Sequence, residues 1–335
     1  MSGDAQPART APDAQPTRTA PDAPYALARF RDGGLGVVSG ERILPIEPAQ
    51  LGAASLNDFL GAGDLSPVAR LAKTDGEWRP LADAELGAPV EPRQVLQAGA
   101  NYRSHVIQLI MAGLGANGRD VDPAEARAGA EKAMDARAAS GRAFVFLGLP
   151  ACVVGDADPL VLPAYSQEHD WELELAAVIG REAFRVSPEE ALAHVAGYTI
   201  VNDISTRDLL FPPDAGGLGA DWYRGKNAPG FLPTGPFLVP AEFVDPTNVQ
   251  VQLELNGELM QDANTSDLVF GVAKIVSDAS QTAPLLPGDI VLTGSPAGNG
   301  QHWGRFLRDG DVMTGRISGL GAQVVRCVAE PAVEA

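Results

Sequence analysis

Two glutamates separated by one residue interrupt an otherwise apolar segment, Trp171-Glu-Leu-Glu-Leu-Ala-Ala-Val-Ile179. Side chains alternate between the two faces of a strand, so Glu172 and Glu174 are predicted to share one face. That face continues through Ala176 and Val178, and the other face is wholly apolar, which predicts a strand buried on both sides. A buried carboxylate needs a cation or a proton, and oxygen ligands suit a divalent metal ion. The alternative is an exposed strand end with two solvated acids, because Glu is mostly exposed in proteins.

A third carboxylate follows another apolar segment. Asp203 closes the predicted strand Tyr198–Ile204. Three carboxylates from two adjacent strands would form an open, oxygen-only site that suits Mg²⁺ or Mn²⁺. The nearby Arg207 and Asp208 are interpreted as an ion pair in a polar turn.

Composition limits the classes of function. The chain has 335 residues, enough for one large domain or a large and a small one, and 45% of them are hydrophobic. Its net charge of −18 repels phosphate backbones, which argues against a nucleic-acid partner. Cys152 and Cys327 form neither a disulfide framework nor a zinc motif, and they are interpreted as packing residues in a reducing compartment. Apolar runs fall short of the ~18 residues that cross a bilayer, and no secretory signal begins the chain, so we expect a cytoplasmic protein without a membrane partner.

The chain divides into segments of different character. Residues 1–24 repeat Arg-Thr-Ala-Pro-Asp-Ala and are predicted to be a disordered Pro/Ala-rich tail. Residues 25–90 are predicted to form a small β-rich domain that begins with a hairpin around Gly33-Gly34. Residues 91–330 form the larger body, with many strands joined by Gly/Pro turns, which favours a mainly β, mixed α+β fold.

A helix is predicted at 121–139, because Asp122 and Pro123 resemble a helix start and an Ala-rich, charged run follows. Glycine-rich segments flank it, so it is interpreted either as a lid over a site or as a surface helix without such a role.

Further elements are predicted from hydrophobic runs and turn residues. Asn256-Gly257 indicates a hairpin turn, and helices are predicted at 188–195 and around 267–280. The predicted strands are 144–147, 160–162, 172–179, 198–204, 237–239, 249–255 and 290–292.

Two other segments carry candidate functional residues. Lys226 borders a Pro/Gly loop, where it is either solvated or, beside a metal site, able to pair with a substrate anion. Thr293, Gly294 and Ser295 follow the strand 290–292 and offer a hydroxyl and backbone amides to a carboxylate.

Together these segments resemble the fumarylacetoacetate hydrolase superfamily over residues 95–328, with 25–90 similar to its smaller N-terminal domain. The resemblance rests on the order and spacing of several motifs. They are Asn101-Tyr102…His105, Glu172-Leu-Glu174, Gly197-Tyr198…Asn202-Asp203…Arg207-Asp208, Gly225-Lys226…Phe231…Pro233…Gly235-Pro236, Asn256-Gly257…Gln261…Asn264-Thr265 and Pro287-Gly-Asp289…Thr293-Gly-Ser-Pro-Ala-Gly298.

The resemblance implies a mixed β-roll or β-sandwich catalytic domain and a homodimer. It implies Mg²⁺ or Mn²⁺ on Glu172, Glu174 and Asp203, and a small 2-oxo or 1,3-dicarbonyl acid as substrate. Its C–C bond would be hydrolysed through a metal-stabilised enolate.

The resemblance also implies roles for the other candidates. His105 would activate water or move a proton, and Lys226 would hold the substrate oxygens. The substrate carboxylate would be bound by Thr293 and the adjacent amides of Gly294 and Ser295, with Tyr102 as a further substrate contact.

Four positions depart from the pattern of similar proteins. Similar proteins commonly have a Glu three residues after the His, and here that position is Gln108. A His–Glu dyad is therefore absent, and Gln108 is a catalytic candidate only because it replaces the Glu that would pair with His105. Gly148 stands where a Lys is common, Leu209-Leu210 where Trp-Gln is common, and Pro229 where an Asp is usual. These changes favour a bulkier or less polar substrate.

The leading hypothesis is therefore a metal-dependent hydrolase of an acylpyruvate-like acid. The alternatives are a decarboxylase, tautomerase, isomerase or hydratase that uses the same metal site, and a catalytically weakened binding protein of the same fold.

Overall fold

A computed structural model describes residues 18–116, 122–155, 157–212 and 219–331. Most of the predicted tail, residues 1–17, lies outside these ranges, as does residue 121 at the start of the predicted lid.

The described strands are numbered in chain order. They are β1 (Ala26–Arg29), β2 (Leu35–Ser39), β3 (Arg42–Ile46), β4 (Arg79–Pro80), β5 (Val95–Gly99), β6 (Phe144–Gly148), β7 (Val153–Val154), β8 (Leu160–Leu162), β9 (His169–Asp170), β10 (Leu173–Ile179), β11 (Val195–Asn202), β12 (Ser205–Thr206), β13 (Leu232–Pro233), β14 (Phe237–Pro240), β15 (Gln250–Leu255), β16 (Glu258–Asn264), β17 (Ile290–Leu292), β18 (Val312–Ile317) and β19 (Gly321–Ala329).

The described α-helices lie between the strands along the chain. They are α1 (Leu56–Ala62), α2 (Ser66–Leu71), α3 (Arg103–Ala116), α4 (Pro123–Ser140), α5 (Pro188–Ala191), α6 (Arg207–Leu210), α7 (Trp222–Lys226), α8 (Val272–Ser280) and α9 (Gly300–Trp303).

Two large sheets organise the described residues, and two further sheets consist of the strand pairs β12-β9 and β13-β7. The larger has ten strands in the order β4-β3-β2-β1-β14-β11-β10-β17-β5-β6, and the smaller has five in the order β16-β15-β18-β19-β8. Most neighbouring strands are antiparallel, while β5 and β17 pair in parallel. This architecture is the mixed, mainly β fold that the sequence predicts.

Strand β10 separates two cores, as its sequence predicts. Leu173, Leu175 and Ala177 pack in a cluster with residues of the smaller sheet, including Val251. Ala176 and Val178, on the other face of β10, join a second cluster, which also contains Phe59 of α1. Every residue of β10 is buried, so the two glutamates at its start lie where water has little access.

Local signals locate several elements correctly. The hairpin around Gly33-Gly34 pairs β1 with β2, and Asn256-Gly257 joins β15 to β16. The side chain of Asp122 accepts hydrogen bonds from Ala124 N and Glu125 N and so caps α4.

The segment 25–90 shares the larger sheet with the rest of the chain. β1 pairs with β14 through Leu27 and Leu238, so the hydrogen-bonding ladder continues from the N-terminal strands into the strands around β10. The division into domains at residues 24, 90 and 330 stays a prediction. Within the predicted tail, Thr19 O accepts a hydrogen bond from Ala322 N.

Helix α4 packs on α3. Ala130 and Met134 of α4 form a small apolar cluster with Val106 and Ile107 of α3. His105 lies on the same helix α3, so α4 supports the element that carries this candidate residue. A lid motion of α4 stays a prediction. None of the helices in the described ranges has the length and apolar character required to cross a membrane.

Candidate metal centre and active-site cleft

The three predicted metal ligands lie together. Leu173 of β10 pairs with Asn202 of β11, which places Asp203 beside the residues that begin β10, and Asp203 N donates a hydrogen bond to Glu172 O at 2.8 Å. Glu172, Glu174 and Asp203 each offer one oxygen, and these oxygens lie within 4.8 Å of one another. Two adjacent strands thus bring the three carboxylates together, as the sequence predicts.

Burial excludes the alternative of solvated acids. Glu174 is 2% exposed and Asp203 is 1% exposed, and the side chain of Glu172 is 13% exposed. Ionised carboxylates at such depth require compensating charge or hydrogen bonds.

Two cations supply part of that compensation. Lys226 Nζ lies 2.7 Å from Glu172 Oε2 and 2.5 Å from Asp203 Oδ2. Arg207 donates from Nε to Asp170 and from a terminal nitrogen to Glu172, each at 2.6 Å. Lys226 is therefore buried in the site rather than solvated at a loop rim.

The interpretation of Arg207 and Asp208 as an ion pair is wrong. Asp208 accepts a hydrogen bond from Ser166 Oγ at 2.7 Å, while Arg207 turns toward Asp170 and Glu172. The reason is that β12 pairs with β9, which brings Asp170 next to the start of α6. Asp170 is itself held by the backbone amides of Trp171, Gly300 and Gln301.

The pKa values of the acids differ because their neighbours differ. Burial raises the pKa of Glu174 well above its usual range, and the charges of Asp203 and Glu172 add to the effect. Burial also raises the pKa of Asp203 to about 6, against the opposing charge of Lys226. For Glu172, burial acts in the same direction, but Lys226 and Arg207 outweigh it and lower its pKa to about 2.

The residues of this cluster fit a divalent cation. Among the described residues, the ion pairs of Asp170 and the three predicted ligands are with Lys226 and Arg207, so the four carboxylates in their ionised form would carry two negative charges in excess. Asp203 Oδ1 is buried without a hydrogen-bond partner. An all-oxygen donor set with this residual charge is typical of Mg²⁺ and Mn²⁺ sites.

The cluster lies at one end of a cleft of about 310 Å³. His105 lines this cleft from α3, and burial lowers the pKa of its imidazole, against the opposing charge of Glu172. Gln108 lies one turn further along α3 and is exposed. Tyr102 is fully buried, and its hydroxyl has no hydrogen-bond partner. Burial and the charge of Glu174 raise the pKa of Tyr102.

The loop after β17 faces the acids mainly with its backbone. Gly294 N donates to Glu174 Oε2 at 2.7 Å, and Thr293 Oγ1 donates to Leu175 O at 2.9 Å. Ser295 lines the cleft. Gly294 has a φ of +96°, and an added Cβ would lie 2.9 Å from Asn101 Cβ, so only glycine fits this turn.

Another part of the cleft lining is an aromatic wall, defined here as Phe146, Phe211 and Trp222. All three side chains line the cleft, with Leu109 and Leu210 beside them. The apolar pair Leu209-Leu210 signals this wall in the sequence, but its aromatic members come from three separate segments that no local pattern connects.

One further residue was not anticipated from the sequence. Gln97 of β5 is 1% exposed, and both polar atoms of its side chain lack a hydrogen-bond partner. An added Cβ at Gly148 would overlap Gln97 Oε1. The Gln97 side chain therefore fills the space that any larger residue at position 148 would need.

Comparisons with known proteins agree with this geometry. The family described as fumarylacetoacetate hydrolase, C-terminal, matches residues 94–328. The chain is 34% identical over 278 residues to the mitochondrial oxaloacetate tautomerase FAHD2B of Bos taurus. The aligned region covers 81% of this chain and 79% of that protein.

Solved structures are also similar. A probable 2-hydroxyhepta-2,4-diene-1,7-dioate isomerase from Mycobacterium abscessus superposes with a TM-score of 0.72 at 29% identity, over 92% of this chain and 100% of that one. The maleylpyruvate hydrolase of Sphingobium sp. SYK-6, solved with manganese(II) and pyruvate, gives a TM-score of 0.70 at 29% identity, over 91% of this chain and 100% of that one.

Proposed function

Since this chain belongs to the fumarylacetoacetate hydrolase family, we propose that it is an Mg²⁺- or Mn²⁺-dependent enzyme that hydrolyses a C–C bond in an acylpyruvate-like 2-oxo acid. The observation that carries the proposal is the buried, oxygen-only cluster of Glu172, Glu174 and Asp203 in a cleft that also contains Lys226 and His105. The manganese and pyruvate bound to the maleylpyruvate hydrolase of similar fold support it.

Glu172, Glu174 and Asp203 would hold the metal ion, which when bound supplies a Lewis acid for the carbonyl oxygens of the substrate. The chain orients two of these acids with its own groups. Arg207 fixes Glu172, and the amide of Gly294 fixes Glu174. Partners of this kind set ligand direction and contribute to metal affinity.

Hydrolysis adds water across the bond between the acyl carbon and the carbon next to the 2-oxo group. His105 lines the cleft, and its lowered pKa keeps the imidazole neutral near pH 7, so it can accept a proton from the attacking water. The electron pair of the broken bond passes to the pyruvate fragment as an enolate, which takes the proton back. Lys226 would hold the substrate oxygens with its buried ammonium group.

The carboxylate of the substrate is proposed to bind at the loop after β17. Ser295 lines the cleft, and its hydroxyl accepts a hydrogen bond from Gln261 Nε2 and donates one to Pro296 O. The hydroxyl of Thr293 is donated to Leu175 O. Thr293 and Gly294 therefore contribute by holding the loop and Glu174 in place. Tyr102 supports the same region from beneath, where its hydroxyl lies near Glu174.

The test combines metal titration with turnover. Calorimetric titration with Mn²⁺ and Mg²⁺ is followed by assays of acetylpyruvate and a panel of other 2-oxo acids, in which released pyruvate is measured. We expect binding of one metal ion per chain and metal-dependent pyruvate release. Metal binding without turnover of any diketo acid would contradict the hydrolase and favour a catalytically weakened binding protein.

A second candidate function has a specific observation behind it. Gln108 cannot accept a proton and lies exposed on α3, so the base that drives hydrolysis is weaker than a His–Glu dyad. The same site could instead serve a tautomerase or isomerase, which moves only protons, a decarboxylase, which releases CO₂, or a hydratase, which adds water. These reactions depend less on a His–Glu dyad. Interconversion of oxaloacetate tautomers without pyruvate release from acylpyruvates would favour this alternative.

The proposal keeps two further predictions from the sequence, a homodimer and a cytoplasmic location, although the Bos taurus relative is mitochondrial. Light scattering of the purified chain and imaging of a tagged chain in its native cells test them.

A further inference from the structure

The aromatic wall is a built surface with defined ring geometry. Phe146 and Trp222 stack with ring centroids 4.4 Å apart and an interplanar angle of 21°. Phe211 meets Trp222 edge-on at 6.4 Å, and Phe144 lies tilted against Trp222 at 5.7 Å. Aromatic groups at such distances attract one another and present a flat apolar face.

The wall begins next to the metal cluster. Lys226 Nζ, which lies between Glu172 and Asp203, is 5.8 Å from the centroid of the Phe146 ring. The aromatic wall therefore lies within reach of a group that extends from a substrate at the cluster toward Phe146. Phe211 remains 69% exposed, so this part of the cleft has apolar surface left to cover.

Among the described residues of the cleft lining, no cation stands unpaired beside the aromatic wall. Among the described residues that line the cleft, the charged cations are Lys226 and Arg207. Lys226 is held by Glu172 and Asp203, and Arg207 by Glu172 and Asp170. A distal carboxylate placed against Phe146 and Trp222 would lose its hydration without gaining a charge partner.

We propose that the aromatic wall selects substrates whose group beyond the 2-oxo acid is flat and apolar, so that the enzyme prefers aryl-substituted over dicarboxylic 2-oxo acids. This inference rests on the proposed function for the position of the 2-oxo acid at the metal cluster. Phe146, Phe211 and Trp222 are then residues that determine specificity through contact with the substrate.

Binding of two matched acids tests the preference without requiring turnover. The acids 2-oxo-4-phenylbutanoate and 2-oxoglutarate share the 2-oxo acid and the two-carbon spacer and differ in a phenyl ring against a carboxylate. Their Kd values are measured by calorimetry on the Mn²⁺-loaded full chain. We expect the aryl acid to bind at least about tenfold more tightly, since burial of a ring and its stacking are favourable while an unpaired carboxylate is not.

Variants connect the preference to the wall. Phe146→Leu and Phe211→Leu keep apolar volume but remove ring faces, and each is expected to reduce the ratio of the two Kd values at least about threefold. Phe211 is the safer position for folding because its side chain is mostly exposed. Phe184→Leu is the matched control, because Phe184 is an exposed aromatic residue outside the cleft, beside Arg185, and it should leave the ratio unchanged.

Several outcomes would overturn the inference. One is equal or tighter binding of 2-oxoglutarate. Another is a Phe211→Leu chain whose oligomeric state changes in light scattering while its Kd ratio does not, because the wall would then cover a second copy. If the aryl preference holds but no acylpyruvate is hydrolysed, the proposed reaction fails while the specificity of the site stands.

Discussion

Lys226 Nζ lies 2.5 Å from Asp203 Oδ2, and both side chains are almost completely buried. The same ammonium group is 2.7 Å from Glu172 Oε2, so it forms ion pairs with two of the three proposed metal ligands at once. The group proposed to hold the substrate and the groups proposed to hold the metal thus form one electrostatic unit. A change in either is expected to alter the other.

The first prediction concerns the metal ligand with the most perturbed acidity. Glu174→Gln should lower Mn²⁺ affinity at least about 100-fold, because an amide oxygen replaces an anionic ligand. Calorimetric titration measures the affinity, and Glu258→Gln is the control, because Glu258 is exposed at the start of β16. Activity that survives unchanged in excess chelator would refute a metal-dependent reaction.

The second prediction is a pH dependence of the metal-free chain. The folded pKa values of Glu174 and Asp203 are raised, the latter to about 6, so the folded state binds protons more tightly than the unfolded state. Stability should therefore fall as pH rises from about 4 to 6, by about 3 kcal/mol for a shift of the size found at Asp203. The lowered pKa of Glu172, about 2, acts in a more acidic window.

Thermal unfolding across this pH range checks the sign. Saturating Mn²⁺ should abolish or reverse the trend, because a metal ion binds the deprotonated carboxylates. A metal-free Tm that rises steadily from pH 4 to 6 would show that burial does not raise the pKa values of these acids.

The third prediction concerns Gln108. Gln108→Glu places a carboxylate one helical turn after His105, which should raise the pKa of the imidazole and move the acidic limb of the kcat/KM profile upward. We expect about a tenfold gain in hydrolysis. Gln108→Ala serves as the control without a new charge. If hydrolysis does not increase in Gln108→Glu, the assignment of position 108 as the missing partner is wrong.

The fourth prediction separates charge from geometry at Arg207. Arg207→Lys keeps the charge, but a single ammonium group cannot reproduce the fork that joins Asp170 to Glu172. Mn²⁺ affinity should fall about 10- to 100-fold, with fold retained by circular dichroism. Arg224→Lys, on the exposed face of α7, should leave the affinity unchanged.

The fifth prediction tests whether Gln97 and Gly148 share one space. Gly148→Ala should lower the free energy of unfolding by about 1–3 kcal/mol, because its Cβ would overlap Gln97 Oε1. In the Gln97→Ala background the same substitution should cost little, since the overlapping group is gone. A double-mutant cycle by urea unfolding measures the coupling, and additive effects would show that the two residues do not compete.

The fold could be predicted from the sequence wherever the signal is local. Alternation around Glu172 and Glu174 identified a strand buried on both faces, Asn256-Gly257 identified a hairpin, and Asp122 identified a helix start. The predicted boundaries of the strand 198–204 were less accurate. The observed strand β11 begins at Val195 and ends at Asn202, where the backbone turns toward Glu172.

The candidate site divides in the same way. The sequence by itself determined that Glu172 and Glu174 share one face of a strand, because side-chain alternation depends only on neighbours along the strand. It left the burial of these acids open, and the buried carboxylate of Asp170 appears only in the structure. Only the tertiary structure decided what faces them. The partners of Arg207, the bridging position of Lys226, the space shared by Gln97 and Gly148 and the aromatic wall all join residues distant in sequence. Such contacts depend on strand order and packing, and no local spacing encodes which of several cations reaches a buried acid.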